Sequence, residues 1–376
     1  MIEEKRESIL SIRDLDISFT TSSGELNAIR GIKLDLFKGE TIAIVGESGS
    51  GKSVTVKAVM GILSNNGVIN NGKIIYRCED ENVGKKEYDI VKMTSKEIRK
   101  EISGKKIAMV FQDPMTSLNP TMTIGNQIME GMRQHYKTPK AEAKAKAEEL
   151  LELVGIDNPA KRMKQYPNQL SGGMRQRVVI AIALSCDPEI LICDEPTTAL
   201  DVTVQAKILE LIKDIQKKKN VSVIYITHDL GVVAKVSDYV AVMYAGKIIE
   251  KGTVEEIFYD PRHPYTWGLL SSIPDISTLE GKLYSIPGNP INLMDKFEGD
   301  AFAIRNEYAL NIDFRLSPQM FNVGGRHRVA TWLAYENAPK IEMPKELRLR
   351  IDKMLQEVKK DEREASFRSK KSKATF

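Results

Sequence analysis

No apolar run in this 376-residue sequence approaches the roughly 20 residues that a membrane-spanning helix requires; the longest, VVIAIALSC, covers 178–186. The opening stretch MIEEKRESIL has no apolar signal core, so the chain is expected to stay in the cytosol unless a partner holds it at a membrane. Cysteine is scarce. The three residues Cys78, Cys186 and Cys193 show no CxxC spacing, and free thiols in a reducing compartment fit them. An excess of one charge is also lacking. The net charge is +4, and residues 359–376 alone hold seven Lys/Arg against three Asp/Glu. The remainder is near neutral, so composition does not point to nucleic acid. No heptad run is sustained. What remains, 42% hydrophobic and 28% charged, is ordinary soluble globular composition with room for about two or three domains.

Against that background one segment stands out. GESGSGKS, Gly46 to Ser53, follows the apolar run TIAIV and precedes VTVKAVMGIL. It matches the P-loop pattern of glycine, four residues, then glycine, lysine and serine or threonine, and it occurs once in the chain. Glycines Gly46, Gly49 and Gly51, with Ser48 and Ser50 between them, let a backbone wrap closely around phosphates. The following helix would aim its N-terminal amides at them. Lys52 would reach the outer phosphates and the Ser53 hydroxyl would bind Mg²⁺. The plain alternative is a Gly/Ser turn between a strand and a helix.

The flanking pattern is α/β. DLDISF (14–19) and IKLDLF (32–37) alternate as half-buried antiparallel strands do, whereas TIAIV (41–45), EILIC (189–193) and VSVIYI (221–226) suit central parallel strands. YVAVMY (239–244), Ala-Gly and KIIE (247–250) predict a closing hairpin. A helix is predicted from Thr138-Pro139 to Gly155, and another after Asp201 with Val204, Ile208, Leu211, Ile212 and Ile215 on one face. Residues 77–106 read as a surface loop and short helix. Beyond about 261 the character changes to a C-terminal extension, ending in an amphipathic helix at 345–358 and a basic tail from 359 expected to be disordered.

Two further segments carry chemistry. In EILICDEP (189–196) an apolar strand ends in two acids. Beside a P-loop, Asp194 would hold Mg²⁺ and Glu195 would act as general base on water; alone, the pair reads equally well as a solvated acidic turn. In LSGGMRQR (170–177), Ser171 can cap the helix that follows and Gly172-Gly173 leaves its first amides uncovered, a second anion site or simply a flexible N-cap.

P-loop, Gln112 in VFQDP, Ser171-Gly172-Gly173, the acid pair and His228 in YITHD occur in the order found in ABC-type ATPases, which residues 8–260 resemble. The resemblance implies a P-loop NTPase (RecA-like) core with an antiparallel β subdomain, an inserted helical subdomain and a C-terminal extension. It implies head-to-tail pairing, in which Ser171, Gly172, Gly173 and Gln176 would meet nucleotide held by a partner. It further implies that Gln112 senses Mg²⁺ and the attacking water, that His228 contacts the γ-phosphate, and that Asp201 shapes the interface. Phe19 is the candidate for stacking on adenine, with a core role equally open.

FQDPMTSLNPTMTIGNQIME (111–130) and HPYTWGLLSSIP (263–274) resemble the oligopeptide and dipeptide importer branch of that family. The expected layout is 1–110 and 186–260 for the ATP-binding core, 111–185 for the helical subdomain, 261–344 for the extension and 345–376 for helix and tail. The branch implies ATP and Mg²⁺, a second homologous ATPase, two membrane permease subunits, indirectly an external peptide-binding protein, and a peripheral position on the cytoplasmic face of the membrane, with no nucleic acid. The function expected is powering oligopeptide import; dipeptide or nickel import, or a soluble mechanical ABC ATPase acting on DNA or ribosomes, are the alternatives. Many members carry four cysteines in the extension that can hold an iron–sulfur cluster. Asp300, Asn306, Asp313 and Thr331 stand at the matching positions here. Such clusters need thiolates, so the extension is expected to rely on apolar packing of Phe302, Phe314 and Trp332 instead.

Overall fold

The computed structural model describes residues 7–80, 84–197, 201–273, 286–294 and 297–357. The expected tail from 359 lies outside them. The chain divides into two compact units, Met1–Ile248 with Asn292–Asp295, and Ile249–Ile291 with Lys296–Phe376.

The first unit opens with β1 (Ser8–Thr21) and β2 (Gly24–Phe37), both longer than their alternating cores because β-bulges let the register shift without breaking the pairing. β3 (Thr41–Val45) leads through the P-loop into α1 (Lys52–Met60). The segment read as a surface loop is in part a hairpin of β4 (Gly67–Asp80) and β5 (Gly84–Asp89), followed by α2 (Ser95–Glu101). β4 pairs with β1, so Ile74 and Tyr76 are fully buried despite the charged sequence around them. The resulting antiparallel sheet runs β2-β1-β4-β5.

β6 (Ile107–Val110) then enters the main sheet. A helical stretch follows: α3 (Pro114–Ser117), α4 (Ile124–Tyr136), α5 (Lys140–Leu153), α6 (Pro159–Arg162) and α7 (Gly172–Leu184). β7 (Ile190–Asp194), α8 (Val202–Lys219), β8 (Ser222–Ile226), α9 (Leu230–Val236) and β9 (Tyr239–Tyr244) complete the unit. Strands β9-β3-β8-β7-β6 form one parallel sheet, and every residue of β3, β7 and β8 is buried, which explains their unbroken apolar runs. The three cysteines are buried free thiols, each pushed above its ordinary pKa by burial.

The second unit begins earlier than the 260/261 boundary read from sequence. β10 (Lys247–Thr253) pairs with a strand of the extension, and its Glu250 carboxylate accepts from the Arg262 and His263 amides. It continues through α10 (Val254–Tyr259), α11 (Pro264–Ser271), β11 (Phe321–Gly324), β12 (His327–Val329) and a helix, α12, over 345–357. β12 lies between β10 and β11. Asp300, Asn306, Asp313 and Thr331 each accept a nearby backbone N–H, from Phe302, Tyr308, Leu310 and Leu333. Phe302 is buried against His263 and Tyr265. Phe314 departs from expectation: it is 51% exposed and takes no part in the core. Trp332 instead packs edge-on with Phe321 and Tyr335, and its indole N–H donates to the Leu316 carbonyl.

Candidate active site

The buried strand β3 delivers the chain into a loop that only glycine can follow at two points. Gly46 (φ 151°) would drive a Cβ into the Met243 carbonyl, and at Gly51 (φ 103°) a Cβ would lie 2.9 Å from the Ala28 carbonyl oxygen. No side chain caps α1, so its first amides remain available to an anion. Lys52, 5% exposed, folds back over this loop and donates to the Gly46 and Glu47 carbonyls at 2.8 and 2.9 Å. Burial pulls its pKa down, against the opposing charges of Glu195, Asp194 and Glu47. Both are oxygen acceptors, as phosphate oxygens are.

The end of β7 brings both acids to the same place. Ser53 Oγ donates to Asp194 Oδ1 at 3.0 Å. Asp194 is 8% exposed, and its pKa is raised by burial and by Glu195, with the Ser53 hydrogen bond acting in the other direction. This hydroxyl–carboxylate pair is a hard oxygen donor set of the kind Mg²⁺ takes alongside phosphate oxygens, so the residues fit that ion.

Glu195 turns out of the strand at φ 47°, a left-handed conformation rare for a residue with a side chain, while its amide donates to the Ile226 carbonyl at 3.0 Å. That turn sets its carboxylate between two polar groups. Gln112 Nε2 donates to Oε2 at 3.2 Å, and His228 Nδ1 lies 3.3 Å from Oε1. Residues far apart in sequence, 52, 53, 112, 194, 195 and 228, therefore form one connected group.

Ser171, Gly173 and Asp201 form another. Ser171 caps α7, accepting from the Met174 amide at 3.4 Å, and Asp201 caps α8, accepting from the Val204 amide at 2.9 Å. A Cβ on Gly173 would lie 2.9 Å from Val204 Cγ1, so the first turns of the two helices touch and Gly173 must stay small. Gln176 does not fit the role read from its position. It is 0% exposed, so its amide lies inside the unit and cannot meet a nucleotide held by another chain as placed. Phe19 is half-buried on β1, with its ring edge over Gly67 and beside the core.

Sequence reasoning did not anticipate what roofs the loop. Ile29 and Ala28 of β2 press on Gly51, and Arg30 Nε donates to the Ala245 carbonyl at 2.9 Å. None of these carries a local motif; they are assembled by β1–β2 pairing.

A P-loop beside a strand-end acid pair, on a parallel sheet with a helical insertion, defines an ATP-binding cassette. Residues 29–198 match the ABC transporter family model, and 249–312 match that of the oligopeptide/dipeptide transporter C-terminal region. The oligopeptide transport ATP-binding protein OppD of Bacillus subtilis (strain 168) is 56% identical over 92% of this chain and 94% of its own. The dipeptide transport ATP-binding protein DppD of Lactococcus lactis is 51% identical over 91% of this chain and 94% of its own. Among solved structures, a dimeric ATP-binding cassette in a post-hydrolysis state with ADP and Pi superposes with a TM-score of 0.56 at 25% identity, covering 65% of this chain and 98% of that one. The chain belongs to the ABC transporter ATP-binding proteins, in their oligopeptide/dipeptide branch. No helix among the described residues is long and apolar enough to cross a membrane.

Proposed function

We propose that this protein is the ATP-hydrolysing subunit that powers peptide import through an ABC transporter, oligopeptides being its cargo class. The observation that carries the reading is Glu195, held between Gln112 and His228 and next to the Ser53–Asp194 pair. On binding, the triphosphate takes the P-loop amides and Lys52 exchanges its two carbonyl acceptors for phosphate oxygens. Ser53, Asp194 and Gln112 would hold Mg²⁺, which would neutralise the phosphate charge. Glu195 accepts the proton of the attacking water, with Gln112 orienting that water. His228, already beside Glu195, contacts the γ-phosphate. Phe19 stacks on the base.

Ser171, Gly172 and Gly173 complete a site on a second, homologous ATPase, with Asp201 next to them bracing the contact. The dimeric cassette that this fold resembles supports that arrangement. The pair acts on two membrane permease subunits, fed by an external peptide-binding protein, and sits on the cytoplasmic face of the membrane. Relatives named for oligopeptide and dipeptide transport support this class over a soluble ABC ATPase acting on DNA or ribosomes, and dipeptide import is the second reading. The extension carries no iron–sulfur cluster, because the Asp300, Asn306, Asp313 and Thr331 side chains offer no thiolate and already close local turns.

Glu195→Gln tests the reading. Loss of the base lowers steady ATP turnover by about 10²–10⁴-fold while ATP affinity survives. Turnover within a few-fold of the parent, measured in the assembled transporter, overturns it.

A further inference from the structure

The piece of the extension that clusters with the first unit is short, Asn292–Asp295. It arrives at the tip of the β1–β2 hairpin. A Cβ on Gly24 would lie 3.8 Å from Met294 Cε, an ordinary van der Waals contact, so the thioether methyl rests on the hairpin there. An Asx turn fixes the residue, with Asn292 Oδ1 accepting the Met294 amide at 3.2 Å.

The strand register says what else lies on that face. Ile29 presses on P-loop Gly51 and pairs with Ile17. Phe19 is two residues further along β1, and Thr21, opposite Gly24, two further again. Residues at i, i+2 and i+4 share a face, and so do directly opposed residues of an antiparallel pair. Phe19 and the Gly24 position are therefore diagonal neighbours about 7–8 Å apart on one face. Moving away from the phosphate loop along it, one meets Phe19 first and Met294 next.

We propose that Met294 is a base-recognition residue, a second apolar wall that contacts the nucleobase stacked on Phe19. This rests on the assignment of Phe19 to base stacking. A thioether suits such a wall because it is polarisable, adapts to a flat ring and makes favourable contacts with aromatic systems. The C-terminal extension thereby contributes directly to nucleotide affinity.

The test measures calorimetric affinities of the purified full chain for Mg-ATP and for Mg-tripolyphosphate, which lacks sugar and base. Met294→Ala is expected to weaken ATP about two- to tenfold and leave tripolyphosphate unchanged, with Met294→Leu retaining most of the affinity. Phe19→Ala is expected to weaken ATP more strongly, again without effect on tripolyphosphate. If Phe19→Ala weakens ATP and Met294→Ala does not, the wall is refuted and base stacking stands. If Phe19→Ala has no effect, the stacking assignment fails and the inference falls with it. Equal weakening of both ligands by Met294→Ala would show that Met294 merely props the hairpin, which also overturns the proposal.

Discussion

Glu250 is the residue on which the second unit should depend most. Its carboxylate is completely buried on β10 and accepts three hydrogen bonds, from the Arg262 amide at 2.6 Å, the His263 amide at 3.1 Å and His327 Nε2 at 2.8 Å. These donors lie on the loop leading into α11 and on β12, so one side chain joins three parts of the unit. Glu250→Gln keeps the shape but leaves a single acceptor oxygen and turns an NH₂ group toward former donors. A buried hydrogen bond to a charged group contributes about 1.5–3 kcal/mol, so we expect a loss of about 3 kcal/mol. Both tryptophans of the chain, Trp267 and Trp332, belong to this unit, so intrinsic tryptophan fluorescence reports its unfolding selectively. With a urea dependence of about 1–3 kcal/mol per molar, the tryptophan transition should move down by more than about 1 M. ATP affinity, which belongs to the first unit, is read separately as a check on folding. A transition that coincides with the parent's would refute the claim that this carboxylate holds the extension together.

Lys52→Ala should abolish the ATP-dependent rise in melting temperature, because the variant loses the P-loop ammonium assigned to the phosphates; a full ATP shift would contradict the assignment. His263 is fully buried, and burial lowers its pKa to about 3. Its unfolded value is about 6.5, so between the two the unfolded chain binds the extra proton and stability is lost as pH falls. Tryptophan-monitored unfolding should lose about 1.4 kcal/mol per pH unit from this group between pH 6 and 4, a slope that His263→Gln removes. Asp187 is held below the usual carboxylate range: burial opposes ionisation, but hydrogen bonds from Lys146 and Lys219 prevail. The stabilisation is complete above its unfolded pKa and disappears as pH falls through the folded one. Because the cluster is half-exposed, Asp187→Asn should cost under about 1 kcal/mol at pH 7, less still at high salt. A cost that does not change with pH or salt would mean packing, not charge, is responsible.

Local chemistry was legible in the sequence, and tertiary context was not. The P-loop, the acid pair and the Ser171 cap announce themselves because their function requires particular residue types within one turn of chain. β3, β7 and β8 were readable because strands buried on both faces tolerate only apolar residues. β4 and β5 were missed because their sheet is solvated on one side, and charged residues such as Arg77, Lys85 and Glu87 hide the alternation. Phe314 looked like core because it is aromatic, but its neighbours Ile312 and Leu316 are exposed too, so that stretch lies on the surface. Motif position puts Gln176 beside exposed Gly172, and only the packing of α7 in the fold shows that it is buried. Met294 carries no motif; its place follows from a long excursion of the chain returning to β1–β2.

The residues that read most clearly are also those that cost the fold most. Lys52 is a desolvated cation satisfied by its own loop, Asp194 a buried acid whose ionised form is disfavoured, and Glu195 a non-glycine residue at φ 47°. A left-handed conformation at such a residue costs about 1–3 kcal/mol and persists only where the surroundings enforce it. Here the β7–β8 ladder enforces it through the Ile226 carbonyl. Nothing in the first unit's core gains from these choices; an asparagine at 194 or a glycine at 195 would suit the fold better. They fit the proposed function, in which a ligand would bring negative charge to Lys52 and, with it, a cation to Asp194. The energetic deficit and the sequence signal therefore share one origin, which is why the candidate site could be found from residue types alone.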